Sequence, residues 1–286
     1  MYNPEPLRHL HDDHLHLPVI KRHSLEKIRA HNHNVQIFTT AMKKIWPQRA
    51  YLGLFAGAGR ARIEESGEIV ETSAASVFRL PDPFTHHVFV DQDPLCTEAL
   101  RKRLNAISTD LRFEILTGDV NALVPDILSA LPSFSRERGL LSYCFVDPFA
   151  ANLKFHTIRA LGRFRMDFLI LLMLGLDARL NFRNYLERES DSRIADLIDV
   201  PNWREEWKRE ASGRRPNVIR FIIRKFDEAM VRIGYRSTPL ERTHPVKVHS
   251  KGVMIYHLVF YSKDELGQTF WEETRKGVSP QLGLEL

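Results

Sequence analysis

From position 50 to position 174 the chain alternates two kinds of segment. Short unbroken apolar runs at 50–55, 87–90, 113–116, 141–146 and 168–174 read as strands covered on both faces, as in a parallel sheet. Between them, 95–106, 120–131 and 154–162 carry apolar residues at helical spacing. The alternation predicts an α/β fold with a doubly wound, Rossmann-like sheet. Upstream, Ser24 opens a helix whose apolar positions Leu25, Ile28, Val35, Phe38, Met42 and Ile45 repeat every three or four residues until Pro47 stops it.

Beyond position 176 the pattern changes. Arginine and glutamate become frequent, and 184–199, 203–209 and 216–233 read as helices punctuated by Pro201, Gly213 and Pro216. Strands at 246–249 and 253–261 flank a Lys251-Gly252 turn, and 266–276 forms a last helix. The chain divides into an arm and helix (1–45), a core (46–175), a helical insertion or cap (176–245) and a C-terminal segment that completes the core (246–286). Residues 1–18 are polar. Their histidines His9, His11, His14 and His16 beside Asp12 and Asp13 are ligand types for a metal, but Pro4, Pro6 and Pro18 leave no scaffold for one, and a mobile or loosely packed arm is expected.

Composition narrows the picture only slightly. The 286 residues are 43% hydrophobic and 27% charged, ordinary for a globular protein, and no apolar run is long enough to span a bilayer. The N-terminus lacks the apolar stretch of a signal peptide. Cys96 and Cys144, the two cysteines, fall within core elements, which predicts free buried thiols in a reducing compartment, the cytoplasm. The net charge of +5 admits an anionic partner such as nucleic acid without requiring one.

Chemistry gathers at the strand ends. The first closes in Phe55-Ala56-Gly57-Ala58-Gly59. Glycines there let the backbone approach a ligand, and a turn into a helix would leave N–H groups to bind it. Arg62, where a dinucleotide fingerprint wants a third small residue, counts against a nicotinamide oxidoreductase. The second strand ends in Asp91-Gln92, an acid placed to accept from ribose hydroxyls or to help cap the next helix. After the third, Asp119-Val120 could receive an adenine amino group or begin a helix. The fourth ends in Asp147-Pro148-Phe149, two acceptors and a ring suited to hold a planar amino group; alternatively it is a strand exit with Phe149 packed inside. The gap between Gly59 and Asp91 holds an extra loop or lid. Arg159, Arg163, Arg165, Arg179 and Arg183 flank the fifth strand, and Arg214, Arg215, Arg220 and Arg224 form either a phosphate-contacting face or a solvated one.

Together FAGAG, VDQD, TGDVN and VDPF resemble the class I S-adenosylmethionine-dependent methyltransferases. Through KRHSLEKI, YLGLFAGAG, GDVN, FVDPF and HLVFYSKDELGQTFWEE, over residues 20–275, the chain is similar to the three-Cys-motif partner protein family, TcmP. That resemblance implies a mostly parallel sheet with an antiparallel C-terminal strand. It implies S-adenosyl-L-methionine held by Phe55, Ala56, Gly57, Gly59, Asp91, Gln92, Asp119 and Val120, with Asp147, Pro148 and Phe149 catalytic and no metal. It also implies association with a separate three-cysteine, radical-SAM-like protein. One position departs from the family: Gly53 stands where an acid helps hold the cofactor's methionine end. Either Glu64, Glu65 or Glu71 substitutes, or cofactor binding is weakened or lost.

Overall fold

The computed structural model describes residues 5–132, 139–174, 179–212, 216–248 and 253–278. Along the chain the elements are β1 (Val19–Ile20), α1 (Ser24–Met42), β2 (Gln48–Leu54), β3 (Arg60–Ile63), β4 (Ile69–Glu71), α2 (Ser73–Ser76), β5 (His86–Asp91), α3 (Pro94–Ile107), β6 (Phe113–Thr117) and α4 (Val124–Ala130). There follow β7 (Leu140–Val146), α5 (Phe155–Leu161), β8 (Met166–Leu172), α6 (Arg179–Glu187), α7 (Arg193–Ile198), α8 (Trp203–Ala211), α9 (Val218–Arg232), β9 (His244–Val248), β10 (Val253–Tyr261) and α10 (Glu265–Val278).

The main sheet has seven strands in the order β6-β5-β2-β7-β8-β10-β9. All pair in parallel except β10, which runs against both β8 and β9. This is the Rossmann-like methyltransferase fold with its antiparallel strand near the C-terminus. Alternate strand residues feed two cores, as the pleat requires. Leu52, Val88, Cys144 and Phe168 face α5 and α6–α9. Tyr51, Phe89, Tyr143 and Leu169 face α1, α2, α3 and α10. The insertion thus thickens one face of the sheet through Trp203, Trp207, Phe221 and Phe226.

Four expectations need correction. No helix follows the glycine turn: β3 pairs antiparallel with β4, and β1 joins them in a separate three-stranded sheet. The arm is not loose. Glu71 N–H donates to Leu7 O and Leu10 N–H to Ile69 O, at 2.9 and 3.1 Å. The Asp13 carboxylate receives Arg103 Nε and Nη2 at 2.8 and 2.7 Å. The helix expected over 120–131 begins only at Val124, because the N–H groups of Ala122 and Leu123 close a separate turn on Asp119 O and Pro125 opens the helix proper. The helix expected over 184–199 is two, α6 and α7; Arg204 takes the carbonyls of Tyr185, Arg188 and Asp191 between them. The Lys251-Gly252 turn, Gly213, Arg214 and Arg215 lie outside the described residues.

Candidate functional site

β2 and β7 lie side by side, but their connections leave toward opposite edges of the sheet. A crevice opens at such a reversal, beyond the carboxyl ends of the strands. The tips are stitched to one another: Asp147 N–H donates to Leu54 O (3.2 Å), Ala56 N–H to Val90 O (3.0 Å) and Gly118 N–H to Asp91 O (2.9 Å). Asp91 Oδ2 accepts from Gly57 N–H (2.7 Å) and Oδ1 from Asp93 N–H (3.0 Å), so one buried carboxylate shapes the glycine turn and the start of α3. Phe55 has φ 60°, a conformation bulky residues rarely hold, at the point where the strand breaks into the turn.

A cavity of about 260 Å³ lies under this turn. Of the residues singled out in the sequence, Phe55, Ala56, Gly57, Asp91, Gln92, Asp147 and Phe149 line it. Gly57 has φ +65°, and a Cβ there would meet nothing within 4 Å, so the glycine leaves an open cradle. Gly59 serves packing instead: a Cβ would come within 2.9 Å of Leu100 and 3.4 Å of Ala75. Asp119 and Val120 do not line the cavity. Asp119 Oδ1 is taken by the Asn121 backbone and side chain at 2.9 and 3.0 Å, and Val120 is core. Pro148 shapes the exit of β7 and lines nothing there. Phe149 is 69% exposed, so the packed-inside alternative fails.

The Asp147 carboxylate is already engaged. Lys27 Nζ, from α1, lies 2.7 Å from both of its oxygens, and the two side chains are 14% and 16% exposed. Sequence reasoning passed over Lys27, because nothing in a helix signature ties it to a strand end 120 residues away. It also missed the wall contributed by the arm, where His16, Pro18 and Ile20 line the cavity with Arg60 and Thr72. His16, Asp93 and Cys96 bring three ligand-type atoms within 4.8 Å of one another. There, burial and the Asp91 and Asp93 carboxylates push the Cys96 thiol up to about 12, so it stays protonated and donates to Asp93 Oδ2 (3.6 Å) while Asp93 Oδ1 caps α3. These contacts describe a capped helix start.

Gly53 has a packing reason. A Cβ at this position would stand 3.0 Å from Phe89 Cδ1 and 3.2 Å from Tyr51 Cε1, closer than side chains ordinarily come. None of the three proposed substitutes reaches the cavity wall: Glu64 pairs with Lys21, Glu65 accepts from Arg22 N–H (2.9 Å) and Glu71 pairs with Arg79 (3.0 Å). Five of the arginines singled out in the sequence have partners on the protein. Arg220 faces Glu241 at 3.7 Å, Arg224 pairs with Glu210 and Glu228, Arg183 with Glu187 and Arg159 with Asp199, and Arg165 lies over Trp46.

A larger hollow, about 550 Å³, lies at the opposite edge of the sheet, between α1 and α10, walled by Met42, Trp46 and Phe270. It contains Asp167, whose carboxyl burial pushes up to about 7 against the lowering effect of a hydrogen bond with Ser262. Both cysteines are free and buried. Among the described residues no helix is long and apolar enough to cross a membrane.

No family model and no curated protein matches the chain. Solved structures do. An O-methyltransferase from Bacillus cereus in complex with SAH aligns at 14% identity over 80% of each chain, TM-score 0.45. Magnesium protoporphyrin IX methyltransferase from Synechocystis with bound SAH aligns at 10% identity over 82% of this chain and 84% of its own, TM-score 0.43. A putative RNA methyltransferase from Pyrococcus horikoshii aligns at 14% identity over 82% and 84%, TM-score 0.38. The assignment of the fold rests on the strand order itself.

Proposed function

We propose that the protein is an S-adenosylmethionine-dependent methyltransferase acting on an amino group of a planar acceptor such as a nucleic-acid base. The observation that carries this reading is the convergence of Gly57, Asp91, Asp147 and Phe149 on one cavity at the reversal of strand order. Gly57 keeps space open for the ligand, and the buried Asp91 retains lone pairs for ribose hydroxyls. When bound, the cofactor supplies a methyl group on a cationic sulfur, and a neutral nitrogen needs little beyond alignment to take it. Asp147 would accept the amino hydrogens of the acceptor, and the exposed Phe149 ring offers a stacking platform at the entrance.

A second reading, a catalytically silent partner or sensor working with a radical-SAM-like protein, is favoured by Gly53 and by Lys27 occupying the Asp147 carboxylate. Titration calorimetry with S-adenosylmethionine and S-adenosylhomocysteine decides whether the cofactor binds. Binding of both, followed by methylation of single-stranded nucleic acid that Asp147→Ala abolishes, supports the enzyme. No heat and no thermal shift at millimolar ligand supports the silent partner.

A further inference from the structure

Seven ionisable side chains line the cavity: His16, Lys27, Arg60, Asp91, Asp93, Cys96 and Asp147. Of the basic side chains, Arg60 is held by Asp13 (3.1 Å) and His16 stands 3.8 Å from Asp93, beside α3. Lys27 alone belongs to the Asp147 end. It is the fourth residue of α1, near the positive end of the helix macrodipole, where a cation is disfavoured unless something offsets it. Asp147 provides that offset.

The α1 N-terminus is fixed from other sides as well: His244 Nε2 meets Glu26 Oε1 at 2.8 Å, and Tyr256 Oη–H donates to His23 O (3.2 Å). Lys27 is therefore a positioned ammonium. Of its three N–H groups, one is taken by the hydrogen bond to Asp147 Oδ1, with Oδ2 also 2.7 Å from Nζ, and a remaining N–H is available to a ligand.

We infer that Lys27 is the anchor for the α-carboxylate at the amino-acid end of the cofactor, binding it with a remaining N–H while Asp147 holds the ammonium in place. The inference rests on the cofactor reading above and adds its polarity: this site grips the methionine end by its anion. A Lys–carboxylate contact in a part-buried pocket is charge-assisted and strong, whereas the adenosine end contributes through Asp91 and the glycine turn.

The test compares two ligands, S-adenosylhomocysteine and 5′-methylthioadenosine; the latter lacks both the carboxylate and the amine. Affinities are measured for wild type, Lys27→Met, Lys27→Arg and the double variant Lys27→Met/Asp147→Asn, which leaves no unpaired charge. Lys27→Met and the double variant are expected to bind S-adenosylhomocysteine about tenfold to a hundredfold more weakly, the worth of one charged hydrogen bond. Their affinity for 5′-methylthioadenosine should change less than about twofold on the same reasoning, which also reports that the variants are folded. Lys27→Arg should recover most of the loss. Equal weakening of both ligands, or no weakening of either, overturns the inference while the cofactor reading stands. Wild type that binds neither nucleoside removes both.

Discussion

Asp167 offers a stability experiment whose size can be worked out beforehand. Its carboxyl is 9% exposed at the start of β8, bonded to Ser262 and repelled by Asp264. Burial, the largest influence, raises it from the ordinary 3.8 to about 7. Below a pH of about 4 the group is neutral whether the chain is folded or not, and the raised value costs nothing. Between pH of about 4 and about 7 the unfolded chain ionises while the folded one keeps its proton, so stability falls as pH rises. Above about 7 the cost is complete, at most about 4 kcal/mol, since each factor of ten is worth about 1.4 kcal/mol. Asp167→Asn keeps the shape and a partner for Ser262 without the charge. Urea unfolding at a series of pH values should show the variant gaining on wild type progressively, from almost nothing near pH of about 4 to a few kcal/mol near pH of about 8. Parallel stability curves for the two proteins across that range would refute the assignment of a costly buried carboxylate.

Gly57→Val should abolish binding of S-adenosylhomocysteine, because the side chain fills the cradle and β-branching opposes φ +65°; an unchanged dissociation constant in calorimetry contradicts this. Asp13→Ala should cost about 3 kcal/mol in denaturant unfolding by stranding Arg103, which is 3% exposed; a loss below about 1 kcal/mol would return the arm to the loose state its composition predicts. The Arg103 hydrogen bonds hold Asp13 to about 2, so its contribution is present above the ordinary 3.8 and fades as pH falls through about 2. Neither cysteine should react with iodoacetamide at mildly alkaline pH in the folded protein, since burial keeps Cys96 and Cys144 protonated; rapid labelling of either, followed by mass spectrometry, contradicts their environment.

The parallel strands were legible because each is buried on both faces and so written as a continuous apolar run; the ends of β2, β5, β6, β7 and β8 fall within two residues of the expected positions. The glycine turn and the Asp91 and Asp147 strand ends were legible for the same reason, since the sheet dictates where they point. The hairpin after Gly59 carried its own signal: Ala61 and Ile63 face inward, Arg60 and Arg62 do not, and Glu-Ser-Gly makes the turn, but the expected helix overrode it. What local pattern could not show were pairs made across the chain. Asp13 meets Arg103 and Lys27 meets Asp147, 90 and 120 residues apart. Asp119 was ambiguous in the sequence because an acid after a strand serves a turn as readily as a ligand; in the structure its Oδ1 closes a turn on Asn121.

The helix bearing Lys27 rests on the last helix of the described chain. Asn34 donates to Thr274 Oγ1 at 2.8 Å in the middle of α1, and the ring of His33 lies against Gly277. During synthesis α1 emerges early, but its seat is complete only once α10 has emerged. Until α10 has folded, the glycine turn, Asp91 and Asp147 can stand in a nearly finished sheet while the helix that aims the ammonium at them lacks part of its seat.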